Sequence, residues 1–299
     1  MQMQMKVQRS HAPYYAKAKH GKPSPWRTRF HEREDSGTSG WKLEPAAALR
    51  AKCPSGRFEG DPWTFERVSA ECTAASVFMN EIGKKKSLGV SSQVVATAHV
   101  LFHRFFSRRP MQTYDPTLVA STCLFLACKI TEERKKISEL ITHVIARINK
   151  TSASSSSGKG GLRSTMEADI LNMERVLLHT LAFELSIDLP FPFLQTFARS
   201  ELAKYAPAIA ASDVLLHNLL IVASALLNDS QRTNLCLQYP AKTIAMGALY
   251  TAALFMKDPV VFQPNSHGKQ FFEKAHVHPE DMLDAAQTIM RVYTYDSAN

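Results

Sequence analysis

The pattern of apolar and polar positions is organised around one stretch, DPTLVASTCLFLACKITEE, at residues 115–133. No charged residue occurs between Leu118 and Cys128, and the apolar side chains of this run fall on every side of a helix. Asp115 and Pro116 predict the start of this helix, because proline is tolerated in the first turn, where its missing N–H costs nothing. A helix without a polar face is typical of the centre of a bundle, so we predict that this one is buried on all sides.

Amphipathic segments on both sides of this stretch predict four more helices in the first half of the chain. Their apolar residues recur at three- and four-residue steps, which is the spacing of one helix face. Ser91 is an N-cap candidate, and Gly83 ends the first helix just before Lys84-Lys85-Lys86, which we interpret as a solvated run. These four helices are predicted near residues 63–82, 91–106, 138–148 and 164–181.

The same order of elements begins again after Pro190 and Pro192. Pro240 precedes a second nearly uncharged helix, which ends at Lys257 as the first one ends at Lys129. The repeated order favours an all-α fold with a tandem pair of five-helix repeats over one irregular ten-helix domain. Helices of the second half are predicted near residues 191–204, 212–228, 241–256, 269–275 and 279–294.

The net charge of +9 is concentrated at the N-terminus. Residues 1–60 hold 12 Lys and Arg against 5 Asp and Glu, a net charge of +7, whereas residues 61–299 carry +2. Proline and glycine interrupt any periodicity up to residue 40, so we predict a disordered basic leader at 1–40, with nuclear import as one use of its cations. The first repeat is predicted at 41–189, with a mobile Ser/Gly-rich insertion at 151–161, and the second at 190–299.

Composition also bears on membrane insertion and on redox chemistry. The longest uncharged apolar stretch has 14 residues, fewer than the roughly 20 that a membrane-spanning helix needs. The N-terminus has no apolar core of the secretory type, so we expect an intracellular protein. The five cysteines are odd in number and form no C-x-x-C pair, so we interpret them as reduced thiols. They are Cys53, Cys72, Cys123, Cys128 and Cys236.

Candidate catalytic and metal-binding groups do not combine into a site. His99 and His103 are four residues apart, but Val-Leu-Phe lies between them and supplies no general base, so we interpret them as interhelical hydrogen-bonding residues. His267, His276 and His278 fit a surface loop better than a metal site. The sequence contains no glycine-rich phosphate loop and no G-x-S-x-G motif. We therefore expect no catalysis, no metal and no cofactor.

Two charged residues stand out because apolar residues surround them. Lys129 ends the central helix, and Glu174 lies in the apolar segment NMERVLLHTLAFEL. A buried charge is tolerated when it is paired. One interpretation is a local Lys129–Glu174 salt bridge. The other is a pair presented to a partner protein inside an apolar rim, and the two can coexist. The rim consists of Ile130, Leu178, Phe183 and Leu185.

Three segments, TAHVLFHRFF, STCLFLACKITEERKKISELI and MERVLLHTLAFEL, resemble the cyclin box of the transcriptional cyclins. That family shares a tandem pair of five-helix repeats. The resemblance extends from about residue 41 to residue 295. Within the family it is strongest to the K branch, with the T and L branches near, through CPSGRFEGDP, PFPFLQTFA and LLNDSQRTNLCLQYPAKTIA.

The resemblance implies a non-catalytic subunit that binds a cyclin-dependent kinase catalytic chain as a 1:1 heterodimer and activates it. It implies nuclear action on the repeated C-terminal tail of RNA polymerase II. The kinase-contacting lysine of the family falls on Lys129 and its glutamate on Glu174, with apolar contacts at Ile130, Leu178, Phe183 and Leu185. In the family these residues hold the regulatory helix of the kinase inward, so that the kinase's own Lys–Glu pair can form.

The chain departs from the family pattern at two places. ECTAA at residues 71–75 stands where cell-cycle cyclins carry M-R-A-I-L, so we do not expect substrate docking there. Thr131 stands where transcriptional cyclins usually carry an acidic residue. The alternative function is a nucleic-acid-binding factor of the general-transcription-factor type, built from related repeats. The charge of +2 over residues 61–299 does not favour direct nucleic-acid binding by the folded body.

Overall fold

The structure is a computed structural model that describes residues 64–151, 159–198, 212–256 and 277–296, and most of these residues are helical. These residues contain nine α-helices, one 3-10 turn and no strand, so the predicted all-α fold is confirmed. In chain order the elements are α1 (Phe65–Gly83), α2 (Ser92–Phe106), α3 (Pro116–Ile130), α4 (Ile137–Thr151), α5 (Lys159–Thr180), α6 (Pro190–Thr196), α7 (Asp213–Ser230), the 3-10 turn (Leu235–Leu237), α8 (Ala241–Phe255) and α9 (Pro279–Asp296).

Two helices begin at the caps that the sequence indicates. At the start of α2, the Ser91 hydroxyl accepts a hydrogen bond from the Val94 N–H at 3.4 Å. At the start of α3, the Asp115 carboxylate accepts from the Thr117 N–H at 2.8 Å, with Pro116 in the first turn. Each cap satisfies a backbone N–H that has no partner inside its helix, so local sequence determines where both helices start.

The centre of the first half is α3. Ten consecutive residues, 119–128, are buried, and α1, α2, α4 and α5 all pack against this helix. The hydroxyls of Ser121 and Thr122 donate to the carbonyls of Thr117 and Leu118, each at 2.8 Å, so both buried hydroxyls have an acceptor within their own helix. The prediction of a central helix buried on all sides is confirmed.

In the second half α8 has the corresponding position, because α6, α7 and α9 pack against it. Gly247 of α8 lies against the backbone of α9. A Cβ atom built on Gly247 would lie 3.1 Å from the Ala286 nitrogen and 3.2 Å from the Met282 carbonyl oxygen. The backbones of the two helices therefore approach each other at a distance that leaves no room for a larger side chain.

The apolar side chains form two clusters. The first contains buried residues from Ala75 to Leu181, and the second contains buried residues from Leu194 to Ile289. Residues 37–299 nevertheless group as one compact unit. A hydrogen bond of 2.9 Å from His103 Nε2 to the Gln231 carbonyl joins α2 to the end of α7. The division of the chain at residues 189 and 190 therefore stays a prediction.

The observed helix ends differ from the predicted ones around the Ser/Gly-rich insertion. Helix α4 extends to Thr151, and α5 begins at Lys159 instead of residue 164. Two glycines, Gly160 and Gly161, thus lie in a helix, since extending an anchored helix through glycine costs only about 1 kcal/mol per residue. Several predicted features lie outside the described residues. They are the leader 1–40, insertion residues 152–158, the helix at 269–275, Cys53, Lys257, His267 and His276.

The remaining four cysteines are free thiols. Burial raises the pKa of the Cys128 thiol to about 11, which keeps it protonated and unreactive. Burial also raises the pKa of Cys123, inside α3, above its usual value. Within the described ranges, no helix is long and apolar enough to cross a membrane.

The two histidines of α2 are buried and neutral. His99 Nδ1 donates to the Val95 carbonyl at 2.7 Å, so Nε2 accepts from the Ser76 hydroxyl of α1 at 2.8 Å. Burial lowers the pKa of His99 to about 4, and it lowers the pKa of His103 from its usual value. Both are hydrogen-bonding residues between elements, as predicted, and neither belongs to a metal-binding cluster among the described residues.

We predict that Gly247→Val destabilises the fold. The new side chain has to push α8 away from the backbone of α9, and overpacking of this kind costs about 1–3 kcal/mol. Urea unfolding measures the loss. Ala225→Val is the matched control, because Ala225 is exposed on α7 and valine there costs only a few tenths of a kcal/mol. Equal stability of the Gly247→Val and Ala225→Val proteins would contradict the close helix contact.

We predict a second effect, a loss of stability in mild acid. The unfolded chain protonates its histidines below about pH 6.5, whereas folded His99 stays neutral down to about pH 4. The unfolded state therefore binds more protons between these values. As the pH is lowered through this range, the free energy of unfolding falls by up to about 1.4 kcal/mol per pH unit for each buried histidine.

Urea unfolding between pH 7 and pH 4.5 tests this. His99→Gln removes one titrating group, so the pH dependence of the variant should be shallower, whatever its stability at pH 7. Asn218→Ala, at an exposed position on α7, removes no titrating group and should leave the slope as in the parent protein. An unchanged slope in His99→Gln would show that His99 is not held neutral by the fold.

Candidate functional site

The candidate site is centred on an ion pair at the end of the buried helix α3. Lys129 Nζ lies 2.7 Å from Glu174 Oε1 and 2.9 Å from Glu174 Oε2, so the ammonium group donates to both carboxylate oxygens. The same Nζ lies 4.3 Å from the centroid of the Phe125 ring, one turn earlier on α3. The ring face attracts the cation, and the carboxylate fixes its direction.

The two members of this pair differ in exposure. The Lys129 side chain is 48% exposed and the Glu174 side chain 12% exposed. An ion pair with one partner this open to solvent contributes at most about 1 kcal/mol to stability. The fold therefore does not depend on the pair, and the lysine is presented at the surface in one fixed orientation.

The residues of the predicted apolar rim lie at the end of α3, on α5 and in the segment that follows α5. Ile130, Leu178 and Leu185 are partly buried and pack against the first hydrophobic cluster. Phe183 is 61% exposed, and its ring meets the His179 ring edge-on at a centroid distance of 5.7 Å. The Phe183 ring is therefore largely accessible to a partner protein.

Sequence reasoning missed one member of the exposed face of α5. Leu171 is 40% exposed and lies three residues before Glu174, which in turn lies four residues before Leu178. This spacing places the three side chains on one helix face. The signal was present in the sequence, but the apolar character of Leu171 was compatible with a place in the core.

The turn after α5 determines where Phe183 points. Ala182 has φ 52° and Phe183 has φ 58°, so two consecutive non-glycine residues adopt the left-handed conformation. The Phe183 N–H donates to the Leu178 carbonyl at 3.0 Å, which satisfies one of the last carbonyls of the helix. This conformation costs roughly 1–2 kcal/mol per residue, so the surrounding structure has to hold it in place.

Arginines at the end of α2 hold this turn. Arg104 Nη1 donates to the carbonyls of Glu184 at 3.4 Å and Ser186 at 3.2 Å, and Arg108 Nη1 donates to the Thr180 carbonyl at 2.7 Å. Burial lowers the pKa of both guanidinium groups from their usual value, and both remain charged. Arg104 and Arg108 thus position the end of α5 and the segment after it, which contains Phe183 and Leu185.

The acidic residues after α3 have a structural role. Both carboxylate oxygens of Glu133 lie 3.1 Å from the Ser91 nitrogen, so Glu133 accepts the N–H of the residue that caps α2. Glu132, just before it, has φ 59° and turns the chain back toward α2. The sequence does not reveal this contact, because it joins residues that are far apart in the chain.

Part of the chain matches the family model described as cyclin, N-terminal domain, over residues 74–186. Cyclin-T1-5 of Arabidopsis thaliana is 30% identical over 219 residues, which are 72% of this chain and 35% of that protein. Cyclin-C of Rattus norvegicus is 32% identical over 207 residues, 69% of this chain and 66% of that protein. The chain thus spans about a third of the length of the plant relative.

A solved structure shows the same fold. A chain in the crystal structure of the yeast RNA Pol II CTD kinase CTDK-1 complex superposes with a TM-score of 0.67 at 16% identity. The match covers 86% of this chain and 74% of that chain.

We predict that Glu133→Ala destabilises the protein by about 1 kcal/mol, because the Ser91 N–H loses its charged acceptor at the start of α2. Thermal or urea unfolding measures the change. Glu132→Ala is a control at the neighbouring exposed position, and it leaves the Ser91 contact intact. A Glu133→Ala protein as stable as the parent would mean that this contact contributes nothing.

Proposed function

The chain belongs to the cyclin family, and on that premise we propose that it is a non-catalytic regulatory subunit that binds a cyclin-dependent kinase catalytic chain as a 1:1 heterodimer and activates it. The observation that carries the proposal is the Lys129–Glu174 pair at the end of α3, together with the exposed Phe183 in the turn after the helix that carries Glu174. A charged centre with an apolar rim is the arrangement of a binding hot spot.

The geometry of the pair suits the end of a partner helix. Lys129 Nζ has three donors, and Glu174 accepts from it with both oxygens, so hydrogen-bonding capacity remains for partner carbonyl groups. When a partner covers the site, the lysine stays paired, which limits the cost of removing its charge from water. Because Glu174 and Phe125 already fix the side chain, little entropy is lost on docking.

Activation follows from which kinase conformation fits this surface. A protein kinase is active when its regulatory helix is turned inward and the glutamate of that helix pairs with the ATP-positioning lysine. A cyclin surface shifts the kinase toward the active state when it binds the kinase with the helix turned inward more tightly than the kinase with the helix turned outward. The size of the shift is set by the difference between these two binding free energies. In this proposal Lys129 and Glu174 contact the regulatory helix, while Ile130, Leu178, Phe183 and Leu185 cover its apolar side.

The substrate proposal rests on the relatives. Cyclin-T1-5 is 30% identical to this chain, and the CTDK-1 complex that contains a chain of the same fold is described as an RNA Pol II CTD kinase. We propose that the kinase complex of this chain phosphorylates the repeated C-terminal tail of RNA polymerase II. Such a complex acts in the nucleus.

We predict that Lys129→Glu and Glu174→Arg each reduce recovery of the kinase chain at least roughly tenfold in a pull-down from nuclear extract, followed by mass identification of the bound chain. The charge-swapped protein, Lys129→Glu with Glu174→Lys, is the decisive variant. It restores the internal ion pair but presents the opposite charges to a partner. It should therefore fold like the parent and still fail to recover the kinase.

Arg175→Glu is the matched control, since Arg175 is exposed on α5 directly after Glu174 and faces another direction. It should recover the kinase at the parent level. Circular dichroism of each variant should show unchanged helical content, because the pair contributes at most about 1 kcal/mol to stability. Full kinase recovery by the charge-swapped protein would overturn the assignment of this pair to the interface.

A further inference from the structure

A basic cleft lies at the end of α1, away from the residues proposed to contact the kinase. It has a volume of about 420 Å³ and is lined by the loop after α1 and by one face of α4. None of the six predicted kinase-contacting residues lines it. Its charged lining residues are Glu81, Lys84, Lys86, Arg147 and Lys150, and His143 lies among them.

The basic residues that line the cleft lie on two elements. His143, Arg147 and Lys150 are spaced by four and three residues on α4, so they lie on one face of that helix. Lys84, Lys86 and Ser87 line the cleft from the loop after α1. Lys85, between them, is exposed but does not line the cleft.

The lysines of the loop are not needed to cap α1. The Leu88 N–H donates to the Ile82 carbonyl at 3.0 Å, and the Val90 N–H donates to the Gly83 carbonyl at 3.2 Å. The loop backbone therefore satisfies the last carbonyls of the helix by itself. Lys84 and Lys86 are therefore not needed as caps of α1, and their side chains are available to bind an anion.

The only carboxylate on the lining, Glu81, pairs with Arg147. Lys84, Lys86 and Lys150 form no ion pair with any acidic residue in the described part of the chain. Three ammonium groups without a counter-charge thus share one concave surface with an arginine that is already held by its glutamate. Repulsion among like charges is reduced when an anion binds between them.

We propose that this cleft binds a phosphorylated serine or threonine side chain of a substrate peptide. A phosphate monoester carries a charge of about −1.5 to −2 near pH 7 and three acceptor oxygens, which suit a concave surface lined by three ammonium donors. This inference rests on the proposed function for the identity of the peptide. A kinase subunit that holds one phosphorylated repeat of the tail keeps the neighbouring repeats near the active site, which raises their effective concentration.

The cleft is better suited to a peptide than to a nucleic acid. Single-stranded nucleic acids bind along basic grooves that also present aromatic side chains for base stacking. The lining of this cleft contains no phenylalanine, tyrosine or tryptophan. Its positive charge is also local, since residues 61–299 as a whole carry only +2. One compact cationic site fits one phosphate group on a short extended chain.

Fluorescence anisotropy with the full 299-residue chain tests the inference. The probe is a labelled two-repeat peptide of the polymerase tail with one phosphoserine, and its unphosphorylated twin is the reference. We expect the phosphopeptide to bind at least roughly tenfold more tightly than the twin, with an affinity that falls as salt is added. Lys84→Glu, Lys86→Glu and Lys150→Glu should each reduce phosphopeptide affinity roughly tenfold or more.

Two further variants make the test specific. Lys85→Glu changes the net charge by the same amount in the same loop, and it should alter the affinity less than about twofold because its side chain does not line the cleft. Glu81→Gln should increase phosphopeptide affinity several-fold, since it removes the like charge that faces the phosphate. Equal losses in Lys85→Glu and Lys86→Glu would reduce the effect to overall charge and overturn the proposal.

Two competitors identify the source of the phosphate group. Inorganic phosphate should displace the peptide only at much higher concentration, because it lacks the peptide contacts. If inorganic phosphate bound as tightly as the phosphopeptide, the peptide assignment would be wrong. The same conclusion would follow if a short single-stranded RNA bound more tightly than the phosphopeptide and the lysine variants abolished that binding. Absence of phosphopeptide binding would overturn the proposal altogether.

A kinase pull-down with Lys86→Glu separates this inference from the proposed function. Parent and variant should recover the kinase equally, because the cleft residues lie outside the proposed kinase contact. If the parent recovers the kinase but does not prefer the phosphopeptide, the cleft proposal fails and the regulatory function stands. If the phosphopeptide binds and no kinase is recovered, the regulatory function fails and the cleft remains an anion site.

Discussion

The burial of α3 is the constraint on which the first half of the structure depends. Ten consecutive residues of this helix are inside the bundle, and none of them is charged. The first charge therefore occurs where the helix leaves the core, at Lys129. Phe125 and Glu174 then hold the ammonium group in one direction at the surface. These two contacts restrict the lysine side chain before any partner arrives.

The second helix, α2, connects this core to the candidate site. Its buried face includes Phe102 and Phe105, which pack in the first cluster, and the arginines near its end reach the carbonyls of residues 180–186. Those hydrogen bonds offset the cost of two left-handed residues, Ala182 and Phe183. The exposed phenylalanine is therefore placed by polar contacts from the bundle, and its exposure is not a consequence of a loose chain end.

The sequence was sufficient where a local signal determines the structure. Absence of charge predicted the burial of α3, and Asp115 and Ser91 predicted two helix starts, because a cap acts on a backbone N–H two or three residues away. It was insufficient where the partner lies far along the chain. The contact of Glu133 with the Ser91 N–H and the contacts of the α2 arginines with the turn after α5 depend on how the helices meet. The ion pair of Lys129 was one of two interpretations that sequence left open.

The same limit applies to the run Lys84-Lys85-Lys86, which the sequence presents as three equivalent solvated cations. The fold makes them unequal, because Lys84 and Lys86 line a cleft with α4 and Lys85 does not. A paired charge such as that of Lys129 tolerates burial under another protein. The cleft lysines form no ion pair within the described residues, and a bound anion stabilises such charges. In our two proposals the kinase and the phosphopeptide contact different residues of the chain, so the two contacts share no side chain.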